Sequence, residues 1–314
     1  MMETHGLHGK ALKGGDAVIG FSNHRPETVP LAAEYMVRFD TICLEEPPSE
    51  AFFPMLNREL AVEDYCLTLD LEYPAFSRRM CALLREMHRK GKRIVQVEPY
   101  LERLISIHER FAEGATPADV SGDSALSEVY RAEHEATAAL LAFYEAVAGE
   151  GFDGVVQAVK RFARLDARRF VIRDRMRAEV LTPVVTRDRS VYIEAGPMHF
   201  ALSGLLRKLL PGTLRILPRF LTAPKARELG GPAHLYGPGD VLTLLYVFHP
   251  NGRDPRENLL AARALVYNKL IEKEETQGED EAFFHTRDEI RVLRTVGRLD
   301  LEDCRRMYPI LRGL

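Results

Sequence analysis

The sequence predicts an α/β protein with a mainly parallel central sheet flanked by helices and a helical insertion capping the strand ends. Three observations carry that prediction. Short apolar runs alternate with helical periodicity over the first hundred residues; the strand signal then gives way to helical periodicity from Pro99 to about Leu181; strands return after it. The expected division is residues 1–98 as the first part of the core, 99–181 as the helical cap, and 182–314 as the second part of the core with C-terminal helices.

Taken in order, "DAVIGF" (16–21) and "FDTICLEE" (39–46) read as short buried strands. Between them "PETVPLAAEYMVR" sets Val29, Ala32, Ala33 and Met36 at helical spacing. A helix around "AFSRRMCALLREMHRKGK" leads to a third strand, "RIVQVE" (93–98), so the first hundred residues read as a small parallel sheet. The segments "YLERLISIHERFAEG", "ALSEVYRAEHEATAALLAFYEAVAGEG" and "FDGVVQAVKRFARLDARRFVIRDRMRAEVL" read as helices, with the turn-rich "GATPADVSGDS" (114–124) joining two of them. "SVYIEA" and "TLRILPRFL" restore strands around the helix "HFALSGLLRKLL". "GGPAHLYGPGDVLTLLYVFHP" (230–250) reads as a Gly/Pro-rich loop followed by a strand-like apolar run, and "EKEETQGEDEA" (272–282) as a solvated acidic loop.

Composition narrows the function. Forty-three basic against forty-six acidic residues leave a net charge of −3, so no overall basic field favours nucleic acid or an anionic membrane. No run approaches the ~20 apolar residues of a membrane span, and the N-terminus lacks the apolar stretch of a signal peptide, so a cytoplasmic protein with no membrane partner is expected. Cys43, Cys66, Cys81 and Cys304 form no C-x-x-C pair and lie in mostly apolar surroundings, which reads as reduced, buried thiols. The strings of P-loop, dinucleotide, serine-hydrolase and zincin sites are absent from the chain.

Four polar elements fall at expected strand ends: "GFSNHR" (20–25), "LEEPPS" (44–49), "VEPY" (97–100) and "AGPMHF" (195–200). Ligands of open parallel sheets gather there. His24 and His199 can serve as general bases or metal ligands, and Glu45, Glu46 and Glu98 can ligate a divalent ion or hold a water. Carboxylates directly after a buried strand also need a cation or donor of their own. Arg173 and Arg177, four apart on one helix face, can supply it, can bind a substrate carboxylate or phosphate, or can form a solvated basic face. The "GGPAHLYGPGD" loop is either a surface turn or a substrate loop delivering His234 or Asp240.

The order "GFSNH", strand-Glu45, "RDRMRAE" and "IEAGPMHF" followed by a leucine-rich helix resembles the TraB/Tiki/ChaN and erythromycin-esterase superfamily, over roughly residues 16–215. "GPMH" fits that group's second G-x-x-H directly; "GFSNH" carries one residue more than the first, and Arg177 stands where methionine is usual. The resemblance implies an α/β core with a helical insertion and a histidine/glutamate site. The expectation is hydrolysis of an amide or ester bond in a small-molecule or peptide substrate, as a metal-dependent peptidase or an esterase. His199, Glu45 and His24 would be the catalytic residues, and Arg173, Glu98 and His234 would bind substrate. His199 and Glu45 either hold one divalent ion (Mn, Co or Zn) together with His24, so lowering the pKa of its water, or act without metal as base and orienter. Two rival expectations stand beside this one: a protein that binds haem or a metal without turnover, and a scaffold whose long helices mediate self-association, as a homo-oligomer, or a partner contact.

Overall fold

The computed structural model describes residues 16–69, 71–188, 190–252, 254–275 and 282–312. Five strands form one parallel sheet: β1 (Asp16–Phe21), β2 (Thr41–Leu44), β3 (Arg93–Gln96), β4 (Val191–Ala195) and β5 (Arg215–Phe220), in the order β3-β2-β4-β1-β5. β1, β2 and β4 are buried throughout, as strands covered on both faces must be. β4 enters between β1 and β2, so the chain reverses direction across the sheet beside β1. The C-terminal ends there open a crevice.

One face of the sheet is covered by α1 (Val29–Met36), α2 (Phe52–Leu56), α3 (Val62–Leu67) and α4 (Pro74–Arg89), which pack Met36, Phe52, Met55, Tyr65 and Leu84 against Ile42, Leu44 and Tyr192. α5 (Pro99–Ala112), α6 (Pro117–Gly122), α7 (Ser127–Gly149) and α8 (Phe152–Asp188) follow β3. α8 is one helix of 37 residues, about 55 Å long, and does two jobs. Its C-terminal part lays Ala178, Leu181 and Val185 on the other face of the sheet beside α9 (Ala201–Leu209). Its N-terminal part packs Val155, Val156, Ala163 and Ala167 against the C-terminal helices α11 (Pro238–Phe248), α12 (Glu257–Leu270), α13 (Phe284–Gly297) and α14 (Leu301–Arg312), while the short α10 (Ala223–Glu228) follows β5.

Two readings of the sequence are corrected. The apolar run in 230–250 is the helix α11, not a strand: Pro238 opens it, the Gly237 N–H donates to Asp240 Oδ2 (2.8 Å) as a cap, and Leu242, Thr243 and Tyr246 fall buried on one face. A continuous apolar run carries neither period, so only the cap distinguished the two. The cap segment does not end at about Leu181, because α8 runs on through Pro183 to Asp188. Of the acidic stretch 272–282, residues 276–281 lie outside the described ones, as does the N-terminal segment before Asp16. Glu275 is no idle loop residue: its carboxylate accepts the N–H groups of Ala75 (2.6 Å) and Phe76 (2.8 Å) at the start of α4. All four cysteines are free and buried. Among the described residues no helix is long and apolar enough to cross a membrane.

Candidate functional site

Each strand end contributes one piece of the crevice. After β4, Gly196-Pro197 turns the chain into a single 3-10 turn, Pro197–Phe200, which tucks His199 under α8. There both ring nitrogens face carboxylates: Nδ1 is 2.5 Å from Asp174 Oδ1 and Nε2 is 2.7 Å from Glu45 Oε1. Both nitrogens therefore donate, and the ring is an imidazolium. Burial works against that charge, but the Glu45 and Asp174 carboxylates outweigh it and raise His199 to about 9.

Glu45 follows β2 and is the hub. Its Oε1 also lies 3.2 Å from Arg173 Nη2, and its Oε2 accepts the Gly196 N–H (2.6 Å) and lies 3.4 Å from Arg177 Nη1. Burial alone would push this carboxyl up, yet His199, Arg177 and Arg173 together hold it well below the usual carboxylate range. Arg177 is fully buried, donating from Nε to the Val97 carbonyl (3.0 Å) and from Nη2 to the Glu194 carbonyl (2.9 Å), so it caps β3 and β4. Glu98 faces Arg173 (3.4 Å) and Arg177 (3.5 Å). The inner cluster is thus three cations, Arg173, Arg177 and His199, interleaved with three anions, Glu45, Glu98 and Asp174.

An outer layer is differently poised. His24 follows β1 with φ 51°, a left-handed conformation that a non-glycine residue adopts at a cost of about 1–2 kcal/mol. Its ring rests on Phe76 (5.0 Å between centroids), its Nε2 lies 3.8 Å from Glu194 Oε1, and that nitrogen has no hydrogen-bond partner among the described residues. Burial pushes the His24 pKa down, so the ring is neutral at pH 7. Glu46, which accepts from Gln96 Nε2 (3.0 Å), and Glu194 are both raised to about 7, chiefly by burial and then by a neighbouring carboxylate, Glu194 beside Glu46 and Glu45 beside Glu194. The His24 side chain keeps 28 % of its exposure against 2 % for His199, so of the two rings His24 lies nearer solvent, although its Nε2 is itself buried.

His24, Glu45 and His199 therefore converge from 175 positions of sequence. A methyl placed on Gly196 would touch all three, 3.9, 3.7 and 3.8 Å from His24 Cε1, Glu45 Oε2 and His199 Cδ2. Arg173 and Glu98 join them. His234 does not: it sits edge-on against Phe220, 4.2 Å between centroids, and Asp240 is occupied in capping α11. Asp174 and Glu194 were not singled out from the sequence; a charged residue inside the buried strand "VYIEA" was the available signal for Glu194. The arrangement does not suit a divalent ion on His24, Glu45 and His199. The imidazolium has no lone pair to offer, and the Glu45 oxygens already face three cations. Among the described residues no group of three or more His, Cys, Asp or Glu side chains is arranged to hold a metal.

The charge pattern fixes a pH dependence. His199 is raised from 6.5 to about 9, so its contribution to stability, on the order of 3 kcal/mol, is complete below pH 6.5 and lost as pH rises through about 9. Glu46 and Glu194, raised from 4.5 to about 7, act in the same direction between those values. The melting temperature is expected to fall between pH 7 and pH 10, and the fall should be smaller in His199→Gln. An equal fall in both proteins would mean that His199 is not the buried imidazolium described.

The chain is 30% identical over 289 residues to an uncharacterized protein of Archaeoglobus fulgidus, an alignment covering 92% of this chain and 96% of the archaeal one. No protein-family model matches the chain, and no solved structure matches it.

Proposed function

The chain belongs to the same family as that archaeal protein, and from the crevice just described we propose that it hydrolyses an ester or amide bond with His24 as general base. One observation carries the reading: a neutral, part-exposed imidazole, whose buried Nε2 has no hydrogen-bond partner among the described residues, is held in a strained backbone conformation at the mouth of a closed ionic cluster. Strained, pKa-shifted groups of this kind gather at functional sites.

The step balances without any further group. His24 Nε2 takes a proton from a water, and the hydroxide adds to the substrate carbonyl carbon. When the tetrahedral adduct collapses, the His24 imidazolium returns that proton to the departing alcohol or amine. Arg173, 16 % exposed on its side chain, is the cluster cation nearest solvent and polarises the carbonyl oxygen or holds an anionic substrate group. Glu194, 3.8 Å from His24 Nε2, stabilises the imidazolium where it is itself ionised, above about pH 7. Glu45, Asp174 and His199 are positioning residues: they fix Arg173 and the strand ends.

A panel of nitrophenyl esters and peptide anilides tests the reading. The protein is expected to release acid from at least one of them, at a rate unchanged by prior dialysis against a strong metal chelator. No release from any ester or amide would remove the proposal. Release lost on dialysis and restored by Mn, Co or Zn would move the chemistry to a bound ion.

A further inference from the structure

The C-terminal helices carry a second polar feature far from the crevice in character. α13 places Arg287, Arg291 and Arg294 at helical positions i, i+4 and i+7, and Arg298 continues the row one turn on. At 1.5 Å per residue the four lie along one face over about 16 Å. They line one cavity of 360 Å³ against Leu229, with Thr295 between them.

Most of these guanidinium groups are held in place by backbone carbonyls. Arg287 Nε donates to the Ala282 carbonyl (3.2 Å), Arg291 Nη2 to the Leu270 carbonyl (3.3 Å) and Arg294 Nη2 to the Gly230 carbonyl (2.7 Å). A carbonyl fixes a guanidinium and leaves its charge standing. Arg291 also has a carboxylate, Asp288 at 2.5 Å, whereas neither Arg294 nor Arg298 faces one among the described residues. In a larger basic cavity of 580 Å³ beside α7 and α8, three of the four basic side chains are paired, Lys160 and Arg164 with Glu257 and Arg168 with Glu135. Along α13, Arg294 and Arg298 keep their charge without a carboxylate among the described residues, in a chain whose net charge is −3.

We propose that this cavity binds an oligophosphate, two or three linked phosphoryl groups laid along Arg291, Arg294 and Arg298. Guanidinium forks match phosphate oxygens two at a time, and Arg291 and Arg294, already anchored on carbonyls, lose little side-chain freedom on binding. The row is longer than one phosphate can span. No aromatic ring lines the cavity, so it offers no platform on which nucleic-acid bases would stack.

Calorimetric titration of the full chain with sodium tripolyphosphate at low ionic strength tests the proposal. Saturable one-to-one binding is expected, weakening steeply with added salt. Arg298→Gln, which removes an exposed side chain with no partner among the described residues, should weaken it at least about tenfold, since a hydrogen bond to a charged group is worth about 1.5–3 kcal/mol. Arg294→Gln should weaken it further, whereas His24→Asn should bind as the parent does. Absence of saturable binding overturns the site, as does binding indifferent to both arginine substitutions. Tighter binding of a single-stranded oligonucleotide or of polyglutamate than of tripolyphosphate overturns the assignment of the ligand.

Discussion

Replacing Arg177 with methionine is expected to destabilise the folded chain by about 3–5 kcal/mol, the usual effect of removing one partner from a buried ionic cluster. Arg177 is the largest fully buried side chain among the described residues. Methionine fills similar space, so the loss is electrostatic and not a cavity. Without the guanidinium, Glu98 keeps only Arg173 at 3.4 Å, Glu45 keeps His199 and Arg173, and the carbonyls of Val97 and Glu194 lose their donors. Denaturant unfolding should show a lower midpoint with an unchanged slope. A change below about 1 kcal/mol would mean that the cluster relaxes and that Glu98 finds water or a proton instead.

His24→Asn should have the opposite profile. Asparagine is among the residues that tolerate a positive φ, so the turn after β1 keeps its conformation and stability should stay within about 0.5 kcal/mol of the parent. Hydrolysis should fall by about 10²–10⁴, the range expected when a positioned base is removed. His199→Gln should separate from it by losing stability as well, because Asp174 and Glu45 would face a neutral amide in place of an imidazolium. If the two substitutions reduced activity and stability in equal proportion, His24 would be one more structural member of the cluster.

The five strands were legible because each is a short apolar run bounded by turns, and β1, β2 and β4 lie buried where such runs belong. α11 was not, because "VLTLLYVF" is apolar throughout and its only helical mark is the Gly-Pro-x-Asp cap before it. Within the site, position relative to the strands pointed to His24, Glu45, Glu98 and His199, since side chains at parallel strand ends share one rim. What sequence could not give is which histidine is closed off. That depends on Asp174, which α8 brings to His199 Nδ1 from 25 positions earlier. His199 followed the better-formed motif, yet its two nitrogens are spent on carboxylates, whereas His24, in the irregular "GFSNH", keeps a nitrogen without a hydrogen-bond partner among the described residues. The second "GPxH" string, at His234, copies the local sequence without the strand that would carry it to the rim; the ring packs on Phe220 instead.

The pH dependence of kcat/KM for a hydrolysed substrate tests the central claim most directly, because it reports the ionisation of the free enzyme's base. With His24 as that base and its pKa pushed down by burial, the rate should rise through a single acid limb centred below pH 6.5 and then level off, and the limb should be absent from the residual rate of His24→Asn. A limb centred near 9, where His199 loses its proton, or one that persists unchanged in His24→Asn, would contradict the assignment.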